Sequence, residues 1–539
     1  CKTACPAHIA VQGYLKLAAQ GKYREALQLI KRENPFPAVC GRICNRRCED
    51  ACTRGTIDQA VAIDEVKRFI AQQDLDAATR FVPEKVIPKV DGEFSEKIAI
   101  IGGGPAGLSC AYYLAEKGYR PTVFEKEART GGMLMNGIPG FRLEKDVVEA
   151  EIDVLRELGV EFRTGVEVGR DVTIAQLREE GYKGFYLAVG LQSGGRLGVP
   201  GDDARGVEAG IDFMRAVNLR GEKTLSGRVV VIGGGNIAAD VARTAVRCGA
   251  ESVTMYCLEG YDEMPMGEED RSECERDGVV IRAGWGQTEI TSADGVCTGI
   301  RLRKCLRVKN DEGRFAPVFD DEQTEETACT TVLYCIGQKA DWRTLLTGTA
   351  VELRPNGTAV TDPVTGQTAE PDIFAGGDAV TGQKFAIDAI AAGKEGAISL
   401  HRYVQGAHLT IGRNRRQFIE LDKKNALIPI DSYDTTPRQR IGYNEALRRT
   451  FRDERVAFTE EQVRAETARC LGCGASVVDP NKCIGCGVCT TKCAFDAIHL
   501  HRERPECSTM VASEDKMKAI LPYMVKREIK IKRAARKKK

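Results

Sequence analysis

Cysteines near the two ends of the chain are the residues whose spacing most clearly predicts chemistry. The sequence has 21 cysteines in 539 residues, and twelve of them form two groups. The first group is Cys1, Cys5, Cys40, Cys44, Cys48 and Cys52; the second is Cys470, Cys473, Cys483, Cys486, Cys489 and Cys493. In a chain this large, such groups indicate metal ligands rather than disulfides.

The second group has the spacing of a ferredoxin-type cluster. Cys483, Cys486, Cys489 and Cys493 read C-x-x-C-x-x-C-x-x-x-C, in which three thiolates bind one [4Fe-4S] cluster and the fourth usually serves a neighbour. Cys470 and Cys473 add a C-x-x-C. We expect one or two clusters here, because even with Cys507 the region offers only seven cysteines. A zinc knuckle is the competing interpretation.

Two glycine turns predict two dinucleotide sites. "KIAIIGGGPAGLSCAYYLAEKGYRPTVFEKEA" reads as strand, turn, helix and strand, with a G-x-G-x-x-G fingerprint and an acid at the second strand's end. "GRVVVIGGGNIAADVARTAVRCGAESVTMYCLEG" repeats the plan. The predicted contacts are Gly102, Gly104, Pro105, Ala106, Gly107 and Glu125 in the first unit, and Gly233, Gly235, Asn236, Ile237 and Glu259 in the second.

A third motif, "DIFAGGDAV", assigns the cofactors to the two units. Its Gly377 and Asp378 resemble the late flavin-domain motif whose aspartate contacts the ribityl-phosphate region. The first unit is therefore predicted to bind FAD, and the second to be a nicotinamide domain inserted within it. The alternative interpretation is that either glycine turn is only a sharp corner of the chain and binds no dinucleotide.

Five motifs in order make the chain similar to a known family. They are "CGRICNRRCEDAC", "GGGPAGLSCAYYLAEKGY", "GGMLMNGIPGFRL", "GVPGDD" and "GGGNIAADVARTAVRCGAESVT". Up to about residue 405 the chain resembles the small subunit of glutamate synthase, the amino-terminal half of dihydropyrimidine dehydrogenase and the large subunit of NADH-dependent ferredoxin:NADP oxidoreductase. The resemblance also implies FAD contacts from Lys126, Gly132, Val168, Gly190 and Ala386.

The resemblance implies two [4Fe-4S] clusters ahead of the flavin. Their family signature looks like C-x-x-C-x-x-x-x-C-x-x-x-C-P, and "CKTACP" matches its last two cysteines. On that pattern Cys1 and Cys52, with two cysteines absent from this sequence, hold one cluster. The other is held by Cys5, Cys44 and Cys48.

The fourth ligand of that second cluster is open. The family often has Glu or Gln at the position of Lys67, which cannot serve when protonated. Cys40 is the predicted substitute, and the rival interpretation is a structural thiol with water or another group as the ligand.

The nicotinamide is predicted to be NAD(H). NADPH-dependent relatives end the second strand of this domain with "YRR", and those arginines pair with the 2′-phosphate. Leu258 and Glu259 occupy those places here, and a carboxylate would repel that phosphate and bind a free 2′-hydroxyl. NADP(H) is the alternative, with Arg243, Arg247 and Arg271 as the residues that could support it.

Composition excludes other classes. The net charge is +1, so no overall field favours nucleic acid, and no uninterrupted apolar run approaches the ~18 residues of a membrane span. We expect a cytoplasmic protein. The last fourteen residues carry nine basic side chains, which predicts a solvated tail or one held by a partner surface.

The predicted fold class is α/β, with two nested Rossmann-like domains between two iron–sulfur domains. The predicted boundaries are 1–80 for a helical [4Fe-4S] domain, 97–200 and 346–405 for the FAD domain, 201–345 for the NAD(P) domain, 406–465 for a linker, 466–510 for a ferredoxin-like domain and 511–539 for a basic tail.

The predicted function is hydride exchange with a nicotinamide, followed by single-electron relay through [4Fe-4S] clusters. No residue of the chain is predicted to be catalytic, because flavin N5 carries the hydride. The expected partners are ferredoxin or a similar low-potential carrier and other iron–sulfur or flavin subunits, in a complex that could bifurcate electrons. The alternatives are the NADH-linked input subunit of glutamate synthase and a relay adaptor with a vestigial nicotinamide site.

Overall fold

The computed structural model describes residues 1–85, 93–221, 224–413, 433–473, 483–492, 498–500 and 511–536. The chain divides into two compact units, Cys1–Cys473 and Gly474–Lys539. The first unit contains a helical N-terminal domain and two α/β domains.

The N-terminal domain is helical, as its three- and four-residue apolar spacing predicts. Tyr14, Leu15 and Ala18 form the buried face of the first helix, and Ala26, Leu27 and Ile30 that of the second. The helices are α1 (Val11–Ala19), α2 (Tyr23–Lys31), α3 (Pro37–Ile43), α4 (Arg47–Asp50) and α5 (Ile63–Ala71), with 3₁₀ turns at Thr53–Thr56 and Gln72–Asp74.

The first α/β domain is built on a five-stranded parallel sheet. Its strands are β1 (Lys97–Ile101), β2 (Thr122–Glu125), β3 (Glu161–Thr164), β4 (Tyr182–Leu187) and β15 (Ile373–Ala375), in the order β15-β4-β1-β2-β3. The helices are α6 (Pro105–Glu116), α7 (Met133–Asn136), α8 (Lys145–Glu157), α9 (Ile174–Glu179), α13 (Asp378–Thr381) and α14 (Ala386–Val404). Helices α6 and α14 pack closely, since a Cβ at Gly393 would lie 2.1 Å from the Ala106 carbonyl oxygen.

The second α/β domain is a parallel sheet inserted into the first. Its strands are β6 (Val207–Ala209), β7 (Arg228–Ile232), β8 (Ser252–Cys257), β9 (Val280–Ala283) and β13 (Thr331–Tyr334), in the order β6-β13-β7-β8-β9. The helices are α10 (Gly210–Arg220), α11 (Asn236–Arg247) and α12 (Glu268–Asp277), with a 3₁₀ turn at Tyr261–Glu263. Because β15 follows this whole domain yet joins the first sheet, the predicted nesting is confirmed.

Two antiparallel features complete these domains. Strands β5 (Ser193–Gly194) and β14 (Gln338–Lys339) pair where the chain enters and leaves the second domain. A meander of β10 (Trp285–Ala293), β11 (Val296–Lys309) and β12 (Phe315–Ala328), which the sequence analysis did not foresee, packs Ile290, Ile300 and Leu302 against Val230 and Ile232.

Residues 433–473, called the connecting segment here, join the three domains. Asp453 pairs with Arg68 of the N-terminal domain at 3.1 Å. Arg452 pairs with Glu144 of the first α/β domain at 2.7 Å. The Thr450 carbonyl accepts from Arg247 of the second at 2.8 Å. The segment predicted as a linker is therefore, over its described part, a tie between domains.

The connecting segment has little regular structure before its last helix. Its elements are β16 (Gly442–Tyr443), a 3₁₀ turn at Glu445–Leu447, β17 (Arg455–Val456) and α15 (Glu460–Ala468). Thr459 and Gln462 form a capping box at the start of α15. Residues 466–473, which the sequence assigns to the ferredoxin-like domain, belong to the first unit.

The second unit is described only in parts. It contains α16 (Val488–Lys492), a 3₁₀ turn at Ser513–Asp515 and α17 (Lys516–Arg536). Most of the predicted basic tail is thus a helix, and its described side chains are largely exposed. None of the helices in the described ranges combines the length and apolar character that crossing a membrane requires.

Candidate functional site

Both glycine turns open into one cavity of about 580 Å³. Its walls come from the turn after β1, the end of β2, the turn after β7 and the start of α13. Fifteen predicted cofactor contacts line it: Gly102, Gly104, Pro105, Ala106, Glu125, Lys126, Gly132, Val168, Gly190, Gly377, Asp378, Ala386, Gly235, Asn236 and Ile237. Gly107, Gly233 and Glu259 are not part of its lining.

The first turn has the packing that a pyrophosphate-binding loop requires. Gly102 has a φ of +107°, and a Cβ there would lie 2.4 Å from the Ala188 carbonyl oxygen. A Cβ at Gly107 would lie 2.0 Å from the Gly102 oxygen. At Gly104, in contrast, the nearest atom to such a Cβ is 3.8 Å away. The middle glycine thus leaves room for a phosphate at the start of α6.

Glu125 is held against the first turn. Its carboxylate accepts from the Gly103 N–H at 2.8 Å and from the Glu127 N–H at 2.9 Å. Burial raises the pKa of this carboxyl, and the two backbone N–H groups partly offset that effect. The side chain also lines the cavity, where an unused lone pair could accept from a ribose hydroxyl.

The second turn repeats this arrangement with one substitution. Gly233 has a φ of +143°, and a Cβ there would lie 2.5 Å from the Cys335 carbonyl oxygen. A Cβ at Gly235 would meet nothing within 4 Å, so this glycine also leaves room for a phosphate. Ala238 stands where the first unit has its third glycine, and its side chain is fully buried.

Glu259 lies beside the second turn, although it is not in the cavity wall. Its Oε2 would be 3.1 Å from a Cβ built at Gly234. Leu258, its neighbour, packs close to Gly286 of the meander. The carboxylate therefore lies two residues beyond β8, next to the loop that would carry the phosphates.

The three arginines that could support NADP(H) have other partners. Arg243 pairs with Glu273 and, at 2.8 Å, with Asp277. Arg247 pairs with Asp277 at 2.6 Å. Arg271 donates to the Tyr261 carbonyl and lies over the Tyr261 ring, 4.9 Å from its centre.

Asp378 lines the cavity at the start of α13, in the first α/β domain. Gly377, with a φ of +70°, precedes it, and its Oδ1 accepts from the Lys384 N–H at 3.3 Å. Burial raises the pKa of Asp378 to about 6, and the neighbouring Asp388 adds to this shift.

Some residues of the cavity wall were missed by sequence reasoning. Ile43, from the end of α3 in the N-terminal domain, is one, and Arg142 and Phe385 are others. These three also line a second cavity of about 350 Å³, whose wall includes Cys44. No spacing signal in the sequence points to them, because they are brought here by contacts between domains.

The predicted ligands of the second N-terminal cluster are neighbours. Burial raises the pKa of Cys44, and the nearby Cys5 thiol raises it further. Burial also raises the pKa of Cys48, and the nearby Cys44 thiol adds to that shift. The three thiols are free of disulfides. Cysteine thiolates are the usual ligands of a [4Fe-4S] cluster, and the assignment of these three stays a prediction.

Lys67 and Cys40 lie at the same place. The Lys67 ammonium is buried and pairs with Asp64 at 2.5 Å. Burial raises the pKa values of Cys40 and Cys44, and the positive charge of Lys67 offsets part of that rise. Cys40 is fully buried on α3, one turn before Cys44. Its role as the fourth ligand stays a prediction.

The loop between Cys44 and Cys48 is tied to both α/β domains. Arg47 donates to the two carboxylate oxygens of Asp388 at 3.0 and 3.2 Å. Arg46, with a φ of +55°, pairs with Glu269 of the second domain at 3.1 Å. These contacts position the cysteines next to the dinucleotide domains.

The other cysteines are placed separately. Cys1 and Cys52 are half-buried in the N-terminal domain, Cys470 is half-buried, and Cys473, Cys483, Cys486 and Cys489 are exposed. Cys493 and Cys507 lie outside the described residues. Within the described ranges, no group of three or more His, Cys, Asp or Glu side chains could hold a single metal ion.

Comparisons with known proteins agree with this architecture. The family model "Pyridine nucleotide-disulphide oxidoreductase" matches residues 96–393. The model of dihydropyrimidine dehydrogenase domain II, 4Fe-4S cluster, matches residues 1–79, and a 4Fe-4S binding domain matches residues 476–499. The chain thus has an FAD/NAD(P) fold with 4Fe-4S domains at both ends.

Relatives extend over most of the chain. It is 34% identical over 501 residues to the NADP(+)-dependent formate dehydrogenase subunit beta of Moorella thermoacetica, covering 88% of this chain and 70% of that one. It is 34% identical to the glutamate synthase [NADPH] small chain of Halomonas elongata (75% and 88% covered) and 32% identical to the NAD-dependent dihydropyrimidine dehydrogenase subunit PreT of Escherichia coli (76% and 91%).

A solved structure shares the fold. FprA from Mycobacterium tuberculosis has a TM-score of 0.51 and 19% identity, covering 58% of this chain and 85% of its own. Several relatives are named as subunits of larger enzymes. Together with the paired glycine turns and the cysteine groups, these matches show that the chain belongs to the pyridine nucleotide-disulphide oxidoreductase family, as an iron–sulfur NAD(P)H oxidoreductase related to the glutamate synthase small chain.

Proposed function

We propose that the chain is the nicotinamide-facing subunit of a redox complex, in which hydride from NADH becomes single electrons that leave through [4Fe-4S] clusters. The observation that carries this proposal is the shared cavity: both phosphate-binding turns open into one space, and the N-terminal domain contributes Ile43 to its wall. A fold with two separate dinucleotide pockets would not support it.

The chain's own residues would bind and orient the two dinucleotides. Gly104 and Gly235 leave room for the pyrophosphates at the starts of α6 and α11. Glu125 and Asp378 offer carboxylate oxygens to the FAD. A bound FAD would supply the change from two-electron to one-electron chemistry, and the protein supplies position and electrostatics.

The electron exit is proposed to pass the Cys44 loop. Cys44 directly follows Ile43, and both residues line the second cavity. Cys44 would therefore place a cluster edge next to the dinucleotide site. From there electrons would reach ferredoxin, or another low-potential carrier, or a partner subunit, and bifurcation would depend on the two half-potentials of the flavin.

NADH is the proposed nicotinamide. Glu259 places a carboxylate beside the second turn, where it would repel a 2′-phosphate and accept from a free hydroxyl. Arg243 and Arg247 are engaged in buried ion pairs, and Arg271 stacks on Tyr261. The names of the relatives divide between NADPH, as in the glutamate synthase small chain, and NAD, as in PreT.

A second candidate is electron input to glutamate synthase. The match to the small chain of that enzyme favours this candidate. That match covers 75% of this chain, however, whereas the match to the formate dehydrogenase subunit covers 88% of it. A glutaminase subunit in the same complex would support this candidate. A relay adaptor that does not react with nicotinamides is the third.

Anaerobic stopped-flow spectroscopy of the reconstituted chain tests these proposals. NADH and NADPH are mixed separately with the oxidised protein, and flavin bleaching and iron–sulfur absorbance are followed. Fast bleaching by NADH alone, followed by loss of cluster absorbance, is the expected result. Bleaching by NADPH alone would refute the assignment of Glu259, and bleaching by neither would favour the relay adaptor.

A further inference from the structure

Two neighbouring residues of the first α/β domain lie between helices of the second. Phe141 and Arg142 belong to the loop between α7 and α8, and Phe141 is buried. The Arg142 guanidinium donates to Asp240 of α11 and to Asp270 of α12, at 2.9 Å each. One side chain of the first domain is therefore bound to two helices of the second.

The ring of Phe141 is covered by the same helix, α11. The guanidinium carbons of Arg243 and Arg247 lie 4.6 and 4.0 Å from the centre of this ring. Asp240, Arg243 and Arg247 are three and four residues apart, so they share one face of α11. Two of the arginines that could have supported NADP(H) thus face the first domain.

The connecting segment closes over the other side of this loop. Arg455 donates to the Arg142 carbonyl oxygen at 2.9 Å. A Cβ at Gly140 would lie 2.6 Å from the Phe451 carbonyl oxygen, so the two backbones are in direct contact. For the second domain to rotate away from the first, contacts on both sides of the loop would have to break.

Charge makes Arg142 the main residue of this interdomain contact. Burial raises the pKa of Asp270, the positive charge of Arg142 offsets part of that rise, and the nearby Asp240 carboxylate adds to it. The two carboxylates are thus close enough to repel each other. Without Arg142 they would face each other with no cation between them, and the contact would open.

The contact acts on the helix that begins at the second glycine turn. Helix α11 starts at Asn236, directly after Gly235, and Asp240 lies about one turn further along. Both Asn236 and Arg142 line the two cavities. The grip on α11 therefore sets where a nicotinamide dinucleotide would lie relative to FAD, and misplacement of reacting groups by about 1 Å can slow a reaction about a hundredfold.

We propose that Phe141 and Arg142 are positioning residues, which hold the second α/β domain in the orientation used for hydride transfer. The domain keeps this orientation while NADH binds and reacts, instead of rotating between a binding and a reacting position. Neither residue gains or loses a proton or an electron in that step. The effect on the reaction rate rests on the proposed function, whereas the interdomain contact does not.

Variants of the full-length chain, reconstituted anaerobically with FAD, test this role. Arg142→Met and Asp270→Asn each break the bridge, and Arg142→Lys keeps a positive charge in it. Arg178→Met is the matched control. Arg178 also bridges two carboxylates, Glu370 at 2.9 Å and Asp372 at 2.7 Å, but all three residues belong to the first domain.

Stopped-flow absorbance at increasing NADH gives the limiting rate of flavin reduction per bound FAD and the apparent Kd. We expect Arg142→Met and Asp270→Asn to lower the limiting rate about 10- to 100-fold and to weaken the charge-transfer absorbance between nicotinamide and flavin. The apparent Kd should change less than about threefold. Because Asp270 is not in the wall of the larger cavity, its effect would act through Arg142.

Three further variants sharpen the assignment. Phe141→Leu should lower the rate less than Arg142→Met does. Arg142→Lys should recover part of the rate, since an ammonium still meets a carboxylate. The combination of Arg142→Met with Asp270→Asn should be no slower than Arg142→Met alone, because both changes break one contact.

Several results would overturn the proposal: an unchanged rate in both bridge variants, an equal fall in Arg178→Met, or a faster rate. A faster rate would mean that the contact holds a resting orientation. A change confined to the apparent Kd would also overturn it, since Arg142 would then bind the ligand itself.

Failure of both NADH and NADPH to bleach the wild-type flavin would refute the proposed function. Hydrogen exchange then tests the contact without a nicotinamide. Arg142→Met should speed amide exchange in residues 137–143 and in α11, and Arg178→Met should not. Unchanged exchange in Arg142→Met would show that this residue does not hold the domains together.

Discussion

The two dinucleotide-binding units share the hydrogen bond that begins the turn and differ in how closely the turn is packed. In the first, the Gly102 N–H donates to the Phe124 carbonyl at 2.8 Å; in the second, Gly233 donates to Tyr256 at the same distance. The third position is glycine in one and Ala238 in the other. The first turn is thus the tighter of the two and leaves its helix no space for a side chain.

The acidic residues of the two units also differ in how firmly each is held by its own unit, with the first again the more firmly held. Glu125 ends its strand and is bound to two backbone N–H groups of its own unit. Glu259 comes two residues after its strand and is half-buried. On the proposed function, the first unit would keep its FAD bound, and the second would bind and release the nicotinamide.

The largest difference should appear at the third position of each turn. Gly107→Ala would place a Cβ 2.0 Å from the Gly102 oxygen, a backbone atom that cannot give way. We expect loss of FAD and a loss of stability of at least about 3 kcal/mol. Ala238→Gly, in contrast, should cost about 1 kcal/mol and leave FAD bound. Flavin content and thermal unfolding measure both, and equal effects would contradict the comparison.

The middle glycines should show the next largest effect. A Cβ built at Gly235 meets nothing within 4 Å, so we expect Gly235→Val to fold but to fill the phosphate space. We expect KM for NADH to rise ten- to a hundredfold, which is about 1.4–2.8 kcal/mol, with flavin content unchanged. Gly104→Val should do the reverse and release FAD. A Gly235→Val enzyme with normal KM would show that no phosphate binds there.

These turns were predictable because phosphate binding by backbone is a local property of strand, glycine and helix. Of the fifteen predicted contacts in the cavity wall, those of the two turns follow from this local property, whereas Lys126, Gly132, Val168, Gly190 and Ala386 came from the family resemblance. Ile43, Arg142 and the connecting segment were not predictable, since their positions depend on contacts between residues hundreds of positions apart. The same holds for Cys470: its spacing to Cys483 suggested one domain, but the burial of Arg469 placed it in another.

Substitution of the two acidic residues should affect different ligands: the nicotinamide in the second unit and FAD in the first. Glu259→Gln removes the charge beside the second turn, and we expect the preference for NADH over NADPH in kcat/KM to fall about tenfold, or about 1.4 kcal/mol. Glu125→Gln leaves one of two backbone N–H groups without an acceptor, which costs about 1–3 kcal/mol and weakens FAD retention. It should leave the nicotinamide preference as it is. An unchanged ratio in Glu259→Gln would remove the case for NADH.

The last comparison concerns how each unit is held to the N-terminal domain. Glu151 of α8 is fully buried and accepts from the Ala38 and Val39 N–H groups at 2.7 and 2.9 Å, whereas Glu269 meets Arg46 in an ion pair that is half exposed to solvent. Burial raises the pKa of Glu151 to about 8. Between about pH 4.3, its ordinary pKa, and pH 8 the folded state binds the extra proton, so stability falls as pH rises.

Glu151→Gln cannot ionise, and it should lack this part of the pH dependence. From pH 5 to 8 we expect the variant to gain on the wild type by about 3–4 kcal/mol, visible as converging or crossing thermal midpoints. Glu269→Gln is the matched control, since an exposed ion pair contributes only about 0–1 kcal/mol. Parallel pH profiles for wild type and Glu151→Gln would mean that the buried carboxylate is already ionised, stabilised by the two N–H groups at the start of α3. The first unit would then be joined to the N-terminal domain by a charge, as the second unit is.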